Sequence, residues 1–350
     1  MTTDAAIEAV ELTKAFGDHQ VLRGLDLSVP RGSVFSLLGP NGAGKTTMVR
    51  ILSTLTRADG GSVRVAGFDV RADSRQVRRR ISLTGQYAAV DSAQTGAENL
   101  RMVARLAGLS RRAAKRRADD LLAQFDLTSA AGRRSGTYSG GMRRRLDIAA
   151  GLVTDPEVVF LDEPTTGLDL PGRQAMWQVI TDLAGSGVTI FLTTQYLEEA
   201  DRLADRVAVL NDGKIVADDS PHVLKQQVGG RRLDLVFADD QSFDTALRML
   251  SRRAVSHDRA GLAISVATTG EAGQVRSLLD EIDPRRSGVR SFAVHETSLD
   301  AVFLALVGGP GEQRSAAAGP AANGSIGGQS VHDEPVGSDR SRSEKESFHV

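Results

Sequence analysis

The sequence predicts an α/β fold in which a parallel core sheet carries a phosphate-binding loop. Three observations predict it. Residues 33–38 (SVFSLL), 156–161 (PEVVFL) and 188–192 (VTIFL) are continuous apolar runs, as strands covered on both faces should be. A glycine-rich stretch follows the first run and opens a helix from about Lys45 to Leu55. Helical sequence at 171–184 separates the second run from the third, which makes a βαβ unit.

The remaining elements follow in chain order. Residues 1–30 alternate or are rich in β formers, with a turn at Gly17-Asp18, and read as an antiparallel sheet. The middle third reads as helical. Leu100, Val103 and Leu106 lie on one face of a segment from Gly96 to Ala107, and Ser110 caps a helix reaching Phe125. Residues 205–217 read as a hairpin turning at Asp212-Gly213. The composition changes at Val228-Gly229-Gly230. From there to 308 the pattern is strand, helix, strand, strand, helix, strand and a final helix at 298–306, a ferredoxin-like order in a small α+β domain. Residues 309–350 hold Gly, Ser, Ala, Pro and charge with almost no large apolar side chain, and read as a disordered tail. The domains expected are therefore 1–228, with an α-helical subdomain at about 87–150, and 229–308.

Composition narrows the chemistry. The 350 residues are 41% hydrophobic and 25% charged, ordinary for a globular protein with a large core. Cysteine is absent, which excludes disulfides, thiolate metal sites and a cysteine nucleophile. The six histidines are scattered, so no metal site of their own is expected. The N-terminus lacks the pattern of a secretory signal, and no apolar run approaches bilayer length. The formal net charge of −1 hides an asymmetry: residues 71–145 hold 17 basic and 6 acidic side chains. Such a run is most often a solvated face. Arginine far outnumbers lysine, which fits a GC-rich bacterial genome.

Three motifs carry chemistry. Gly39-Pro40-Asn41-Gly42-Ala43-Gly44-Lys45-Thr46, followed by Thr47, matches G-x-x-x-x-G-K-[ST] between a strand and a helix. Its glycines let backbone N–H groups turn in around phosphate at the positive end of a helix. Lys45 adds charge on the β- and γ-phosphates of a bound ATP, and the Thr46 hydroxyl is suited to Mg²⁺. The strand Val158–Leu161 ends in Asp162 and Glu163. Asp162 is placed to hold Mg²⁺ and Glu163 to polarise the attacking water as general base. Ser139-Gly140-Gly141, 23 residues before Asp162, opens a second helix with a phosphate-binding terminus. One ATP has no use for two such termini in one chain unless two chains share it.

With these motifs in this order, residues 5–228 resemble the ATP-binding cassette (ABC) ATPases. The resemblance implies that the signature loop at Ser139–Gly141 of one subunit closes on ATP held by the P-loop of the other. It implies that Phe16 stacks on adenine, that Gln86 is the Q-loop glutamine that senses Mg²⁺ and the coupling surface, and that Gly167-Leu168-Asp169 is the D-loop touching the opposite subunit. Two positions depart from the family pattern. Tyr138 and Met142 flank Ser-Gly-Gly where LSGGQ is usual, and Gln195 replaces the switch histidine. Glutamine can donate a hydrogen bond to a γ-phosphate but cannot carry an imidazolium charge. Both departures, the stretch from Gly85 to Asp91, and the ending Ser298–Leu304 are similar to the daunorubicin-resistance-type subfamily, ATP-binding subunits of bacterial drug and antibiotic exporters. The expected partners are a second copy of this chain and an integral membrane permease of the ABC-2 type, which binds the cargo; the expected place is the cytoplasmic face of the membrane. The alternative is a nucleic-acid-directed ABC ATPase without a permease, which the basic segment favours. A single P-loop and 4% aromatic residues, too few for base-stacking platforms, oppose it.

Overall fold

The computed structural model describes residues 5–85, 90–228, 231–250 and 253–307. A six-stranded sheet forms the centre, in the order β10-β9-β3-β8-β7-β6. Its strands are β3 (Val34–Leu38), β6 (Ile81–Thr84), β7 (Val158–Asp162), β8 (Thr189–Thr194), β9 (Arg206–Asn211) and β10 (Lys214–Asp219). All neighbours run parallel except β9 and β10, the hairpin at Asp212-Gly213. Every residue of β3, β7 and β8 is buried. Alternation along them serves two cores. Phe35, Leu37, Phe160 and Phe191 face one, with the Phe35 and Phe191 rings stacked at 5.5 Å. Val34, Val159, Leu161, Ile190 and Leu192 face the other. That is why these runs read as unbroken apolar sequence.

The first core is closed by an antiparallel sheet in the order β2-β1-β4-β5, from β1 (Ala5–Phe16), β2 (His19–Pro30), β4 (Gly60–Val65) and β5 (Phe68–Asp69). Helix α1 (Lys45–Leu52) contributes Met48, Val49, Ile51 and Leu52 to the same core. A short helix, α2 (Ser74–Arg78), leads into β6. The second core is closed by helices. They are α3 (Gly96–Leu106), α4 (Arg111–Gln124), α5 (Gly140–Gly151) and α6 (Leu170–Gly185). Thr95 and Glu98 form a reciprocal capping box at the start of α3. Ser110 caps α4 as the sequence suggests. Its basic face is solvated at Arg111, Arg112, Lys115 and Arg116, while Arg117 turns in to pair with Asp155.

Helices α7 (Leu197–Leu203) and α8 (Pro221–Val228) end the first part of the chain. The elements β11 (Arg231–Phe237), α9 (Asp240–Leu250), β12 (Ala254–Asp258), β13 (Ala263–Thr268), α10 (Ala272–Ile282) and β14 (Val289–Glu296) follow. The sheet order β12-β13-β11-β14 is ferredoxin-like, with its own core around Leu233, Leu235 and Phe243. The last helix, α11 (Leu299–Val307), does not join that core. Leu299 and Val302 are buried with Leu38, Ala200, Val207, Val209 and Leu224, so the chain returns to the central sheet. A boundary at 308 therefore groups α11 by sequence with a domain it does not pack into. The tail 309–350 and the linker residues Gly229-Gly230 lie outside the described residues.

Candidate functional site

The site is built at the carboxyl ends of β3, β7 and β8, where an open parallel sheet presents its loops. The loop after β3 turns through Gly42 (φ 84°) and Gly44 (φ 110°), a conformation that L side chains rarely adopt. Gly39 is required for a different reason: a Cβ there would lie 2.4 Å from the Leu210 carbonyl oxygen on β9. Gly44 sits at the N-cap of α1, and no side chain caps that helix. The free amides at this terminus are what a phosphate would take. Lys45 is buried, and its Nζ donates to the carbonyls of Gly39 (2.6 Å) and Pro40 (3.1 Å). Burial pulls the Lys45 ammonium below its ordinary range, and the carboxylates of Glu163 and Asp162 oppose that pull. Thr46 is exposed at the mouth, and Thr47 is partly covered.

Asp162 ends β7 in a buried position, and its Oδ1 accepts from the Thr193 hydroxyl at 2.5 Å. Glu163 has a positive φ of 48°. Its N–H donates to the Thr193 carbonyl at 3.0 Å, and its Oε2 accepts from the Thr166 hydroxyl at 3.1 Å. Gln195 follows β8 and is exposed. It shares a cavity of about 170 Å³ with Leu38, Gly39, Pro40, Asn41, Thr194, Leu197 and Phe303. Phe16, at the end of β1, is 55% exposed, with the Lys14 ammonium 5.2 Å from its ring centre. An exposed aromatic with a free face is available for stacking on a base.

Ser139 caps α5 by accepting from the Met142 N–H at 3.2 Å. The nearest atoms around Gly140 and Gly141 belong to Leu168 and Gly172, so this loop sits beside the D-loop. The two departures flanking it are structural. The Tyr138 hydroxyl donates to the Ala130 carbonyl at 2.7 Å, and Met142 packs on the helical core. Thus Lys45, Asp162, Glu163, Gln195 and the loop 39–46 come together, and Ser139–Gly141 belong to a separate surface. Gln86 lies outside the described residues.

Four residues enter the site that sequence reasoning did not single out. Thr193 holds both Asp162 and the Glu163 backbone; a threonine pair before Gln195 was the available signal. Glu199 is fully buried, and its Oε1 accepts from the Trp177 indole N–H at 3.2 Å; burial raises its carboxyl above the ordinary range, against the opposing pull of that N–H, the neighbouring Thr194 and Thr165 hydroxyls and the Arg173 charge. Phe303 reaches the site from α11, and no local pattern announces that. Arg144 sits inside the basic run 143–145 yet is buried.

The donor set suits a magnesium nucleotide. Mg²⁺ binds through one or two carboxylates and hydroxyls together with substrate phosphates, and Asp162, which ends β7, and Thr46, which follows Lys45 in α1, are hard oxygen donors of that kind. No cluster of three metal-ligating side chains occurs among the described residues, so a cation here would depend on the phosphates. The fold and site define a P-loop ATPase.

Comparison with known proteins places it further. The ABC transporter family model matches residues 22–166. The chain is 48% identical over 313 residues to the daunorubicin/doxorubicin resistance ATP-binding protein of Streptomyces peucetius, covering 89% of this chain and 94% of that one. It is 38% identical over 304 residues to a Nod factor export ATP-binding protein of Rhizobium sp., covering 87% of this chain and 97% of that one. A solved ATP-binding subunit of an ABC transporter superposes with a TM-score of 0.57 at 26% identity, covering 63% of this chain and 92% of the other. The chain belongs to the ABC transporter family, as an ATP-binding subunit of the daunorubicin/doxorubicin-resistance type. It is an ATPase whose hydrolysis is coupled to transport.

Proposed function

We propose that this chain powers export of a drug or antibiotic-like compound as a homodimer beneath a separate ABC-2 type permease, on the cytoplasmic face of the bacterial membrane. The observation that carries the reading is the convergence of the loop 39–46, Asp162, Glu163 and Gln195 at one end of the sheet, with Ser139–Gly141 on another surface. Two copies arranged head to tail would bring each signature loop onto the other's P-loop. Among the described residues no helix is long and apolar enough to cross a membrane, so cargo selection is assigned to the permease.

Each side chain has a role in hydrolysis. Backbone amides of Gly42 to Thr46 bind the phosphates, and Lys45 exchanges the Gly39 and Pro40 carbonyls for β- and γ-phosphate oxygens. Glu163 takes a proton from water as the water oxygen bonds to Pγ and the bond from Pγ to the β-phosphate oxygen breaks. Gln195 donates a hydrogen bond to the γ-phosphate. In this reading Phe16 would stack on adenine, Gln86 would sense the metal and the coupling surface, and Asp162 and Thr46 would hold Mg²⁺. The metal would neutralise charge developing between the β- and γ-phosphates.

The exporter relatives weigh against a nucleic-acid role, while the basic segment is divided, with Arg111, Arg112, Lys115 and Arg116 solvated on α4. Arg144 is buried, and Arg117 and Arg145 are engaged with Asp155 and Asp126. The test is ATPase activity of wild type and Lys45→Ala in membranes with and without the permease. Activity that rises with the permease and vanishes in Lys45→Ala supports the reading. Full activity without membrane that DNA or RNA stimulates would refute it.

A further inference from the structure

Arg144 stands in the second turn of α5, just past the Ser139 cap, and only 8% of it is exposed. Its guanidinium reaches three backbone carbonyls in two segments of the chain. Nε donates to the Pro164 carbonyl at 3.1 Å. One Nη donates to the Gly85 carbonyl at 2.5 Å, and the other to the Asp162 carbonyl at 3.2 Å. The Asp147 carboxylate lies 3.6 Å away and balances its charge.

These carbonyls belong to the places that matter most for the chemistry. Gly85 immediately precedes Gln86. Asp162 and Pro164 bracket Glu163, whose positive φ must be held by its neighbours. The other end of the link is the N-terminus of α5, which carries Ser139, Gly140 and Gly141. A helix is stiff over two turns, so a shift of that terminus moves the guanidinium with it. A fork of five donors in a fixed plane can hold three diverging carbonyls at once. A lysine ammonium is a single point on a flexible stem and cannot.

We propose that Arg144 is a positioning residue that couples the two ATP sites of the dimer. It ties the helix whose terminus serves the partner's ATP to the backbone that holds Asp162, Glu163 and the approach to Gln86 in its own site. The inference rests on the homodimer reading above and adds a route by which occupancy of one site is felt at the other. A buried arginine that merely closes carbonyls would stabilise the fold without linking the sites, and the two roles separate experimentally.

The experiment compares the full-length wild type, Arg144→Lys, Arg144→Gln and Lys45→Ala, each with the permease in membranes. ATPase rate is followed against ATP concentration, binding with a fluorescent ATP analogue, and folding by thermal melting. Wild type should show a Hill coefficient approaching 2, the number of sites. Arg144→Lys should stay folded, melting only about a few degrees below wild type for the carbonyls left unpaired, and bind the analogue within about twofold, yet lose roughly tenfold or more in kcat as misplaced groups do, and its Hill coefficient should fall to about 1. If Arg144→Gln fails to fold, Arg144→Lys, which keeps charge and much of the volume, carries the comparison. A Hill coefficient and kcat unchanged in Arg144→Lys would overturn the proposal, as would joint loss of folding and binding in both variants. A wild type that lacks Lys45-dependent hydrolysis would overturn the ATPase reading itself.

Discussion

Two helix N-termini in this chain point phosphate-binding amides outward, and they are finished differently. At α1 the N-cap is Gly44, left-handed and without a side-chain cap. At α5 the N-cap is Ser139, whose hydroxyl already accepts from the Met142 N–H. Around α1 the chain gathers Lys45, Asp162, Glu163 and Gln195. Around α5 it places Leu168 and Gly172. The first terminus gathers the phosphate-binding loop with the groups suited to hydrolysis. The second offers amides and a hydroxyl, with Leu168 and Gly172 as the nearest neighbours of its glycines. A half-site of that kind has a use only when another chain supplies the rest.

The largest effect that sharpens this contrast is loss of the base. Glu163→Gln keeps the shape of the side chain and removes its proton affinity. Steady-state ATP turnover should fall about a thousandfold, within the range for a general base, while ATP holds the dimer closed. Gel filtration with ATP should show the dimer persisting. Rapid turnover would assign the base elsewhere.

The loop itself should tolerate little. Gly39→Ala drives a methyl into the Leu210 carbonyl, and overpacking of that kind costs about 1–3 kcal/mol. Thermal melting should show the loss, whereas Gly141→Ala, whose Cβ would meet Gly172 Cα at an ordinary 3.7 Å, should melt like wild type. Equal melting of the two would break the distinction between the termini.

Smaller still is the effect at the end of β1. Phe16→Ala should raise KM for ATP roughly fivefold, the lower end of what a stacked base contributes, and leave kcat unchanged. A change in kcat alone would contradict a purely binding role.

The smallest effect concerns Glu199 beneath the switch loop. Its carboxyl is raised by burial, so the neutral form fits the fold. Its contribution is fully present below the ordinary carboxylate range and is lost as pH rises through the higher folded value. Glu199→Gln, neutral throughout, should therefore melt above wild type at pH 8, with the gap narrowing as the buffer is taken down toward pH 4. A gap that widens on acidification would show the charged form to be the stabilising one.

Much of the first terminus was legible in the sequence because its determinants are contiguous. Gly39 to Thr46 sit between a buried strand and a helix, and Asp162-Glu163 end an apolar run. The fold around them followed from the same runs. Other parts depend on contacts that no local window contains. The short elements β4, β5 and α2 left no clear period to read. Arg144 lies in the basic segment that reads as a solvated face, and its burial is decided by the carbonyls of Gly85 just after β6, Asp162 on β7 and Pro164 in the turn after β7. Phe303 looked like part of a separate domain, and α11 instead packs by Leu38 and reaches the P-loop cavity. Thr193 was hidden inside a strand whose apolar neighbours dominate the pattern. Gln86 was assigned by resemblance and falls outside the described residues.

The central claim is that each chain supplies one complete terminus and one incomplete one, and that the ATP site is made across two copies. Mixing two defective chains tests it most directly. Lys45→Ala spoils the P-loop and leaves the signature intact. Gly141→Asp puts a negative charge where the partner's phosphate must sit, in a position with room for the side chain and at a helix end that tolerates an acid. Each variant alone should be inactive with the permease. Co-expressed in equal amounts, they should regain ATPase activity of up to roughly a quarter of wild type, because half the dimers are mixed and each mixed dimer holds one sound site beside a defective, coupled one. Activity that stays at the level of the separate variants would contradict the account.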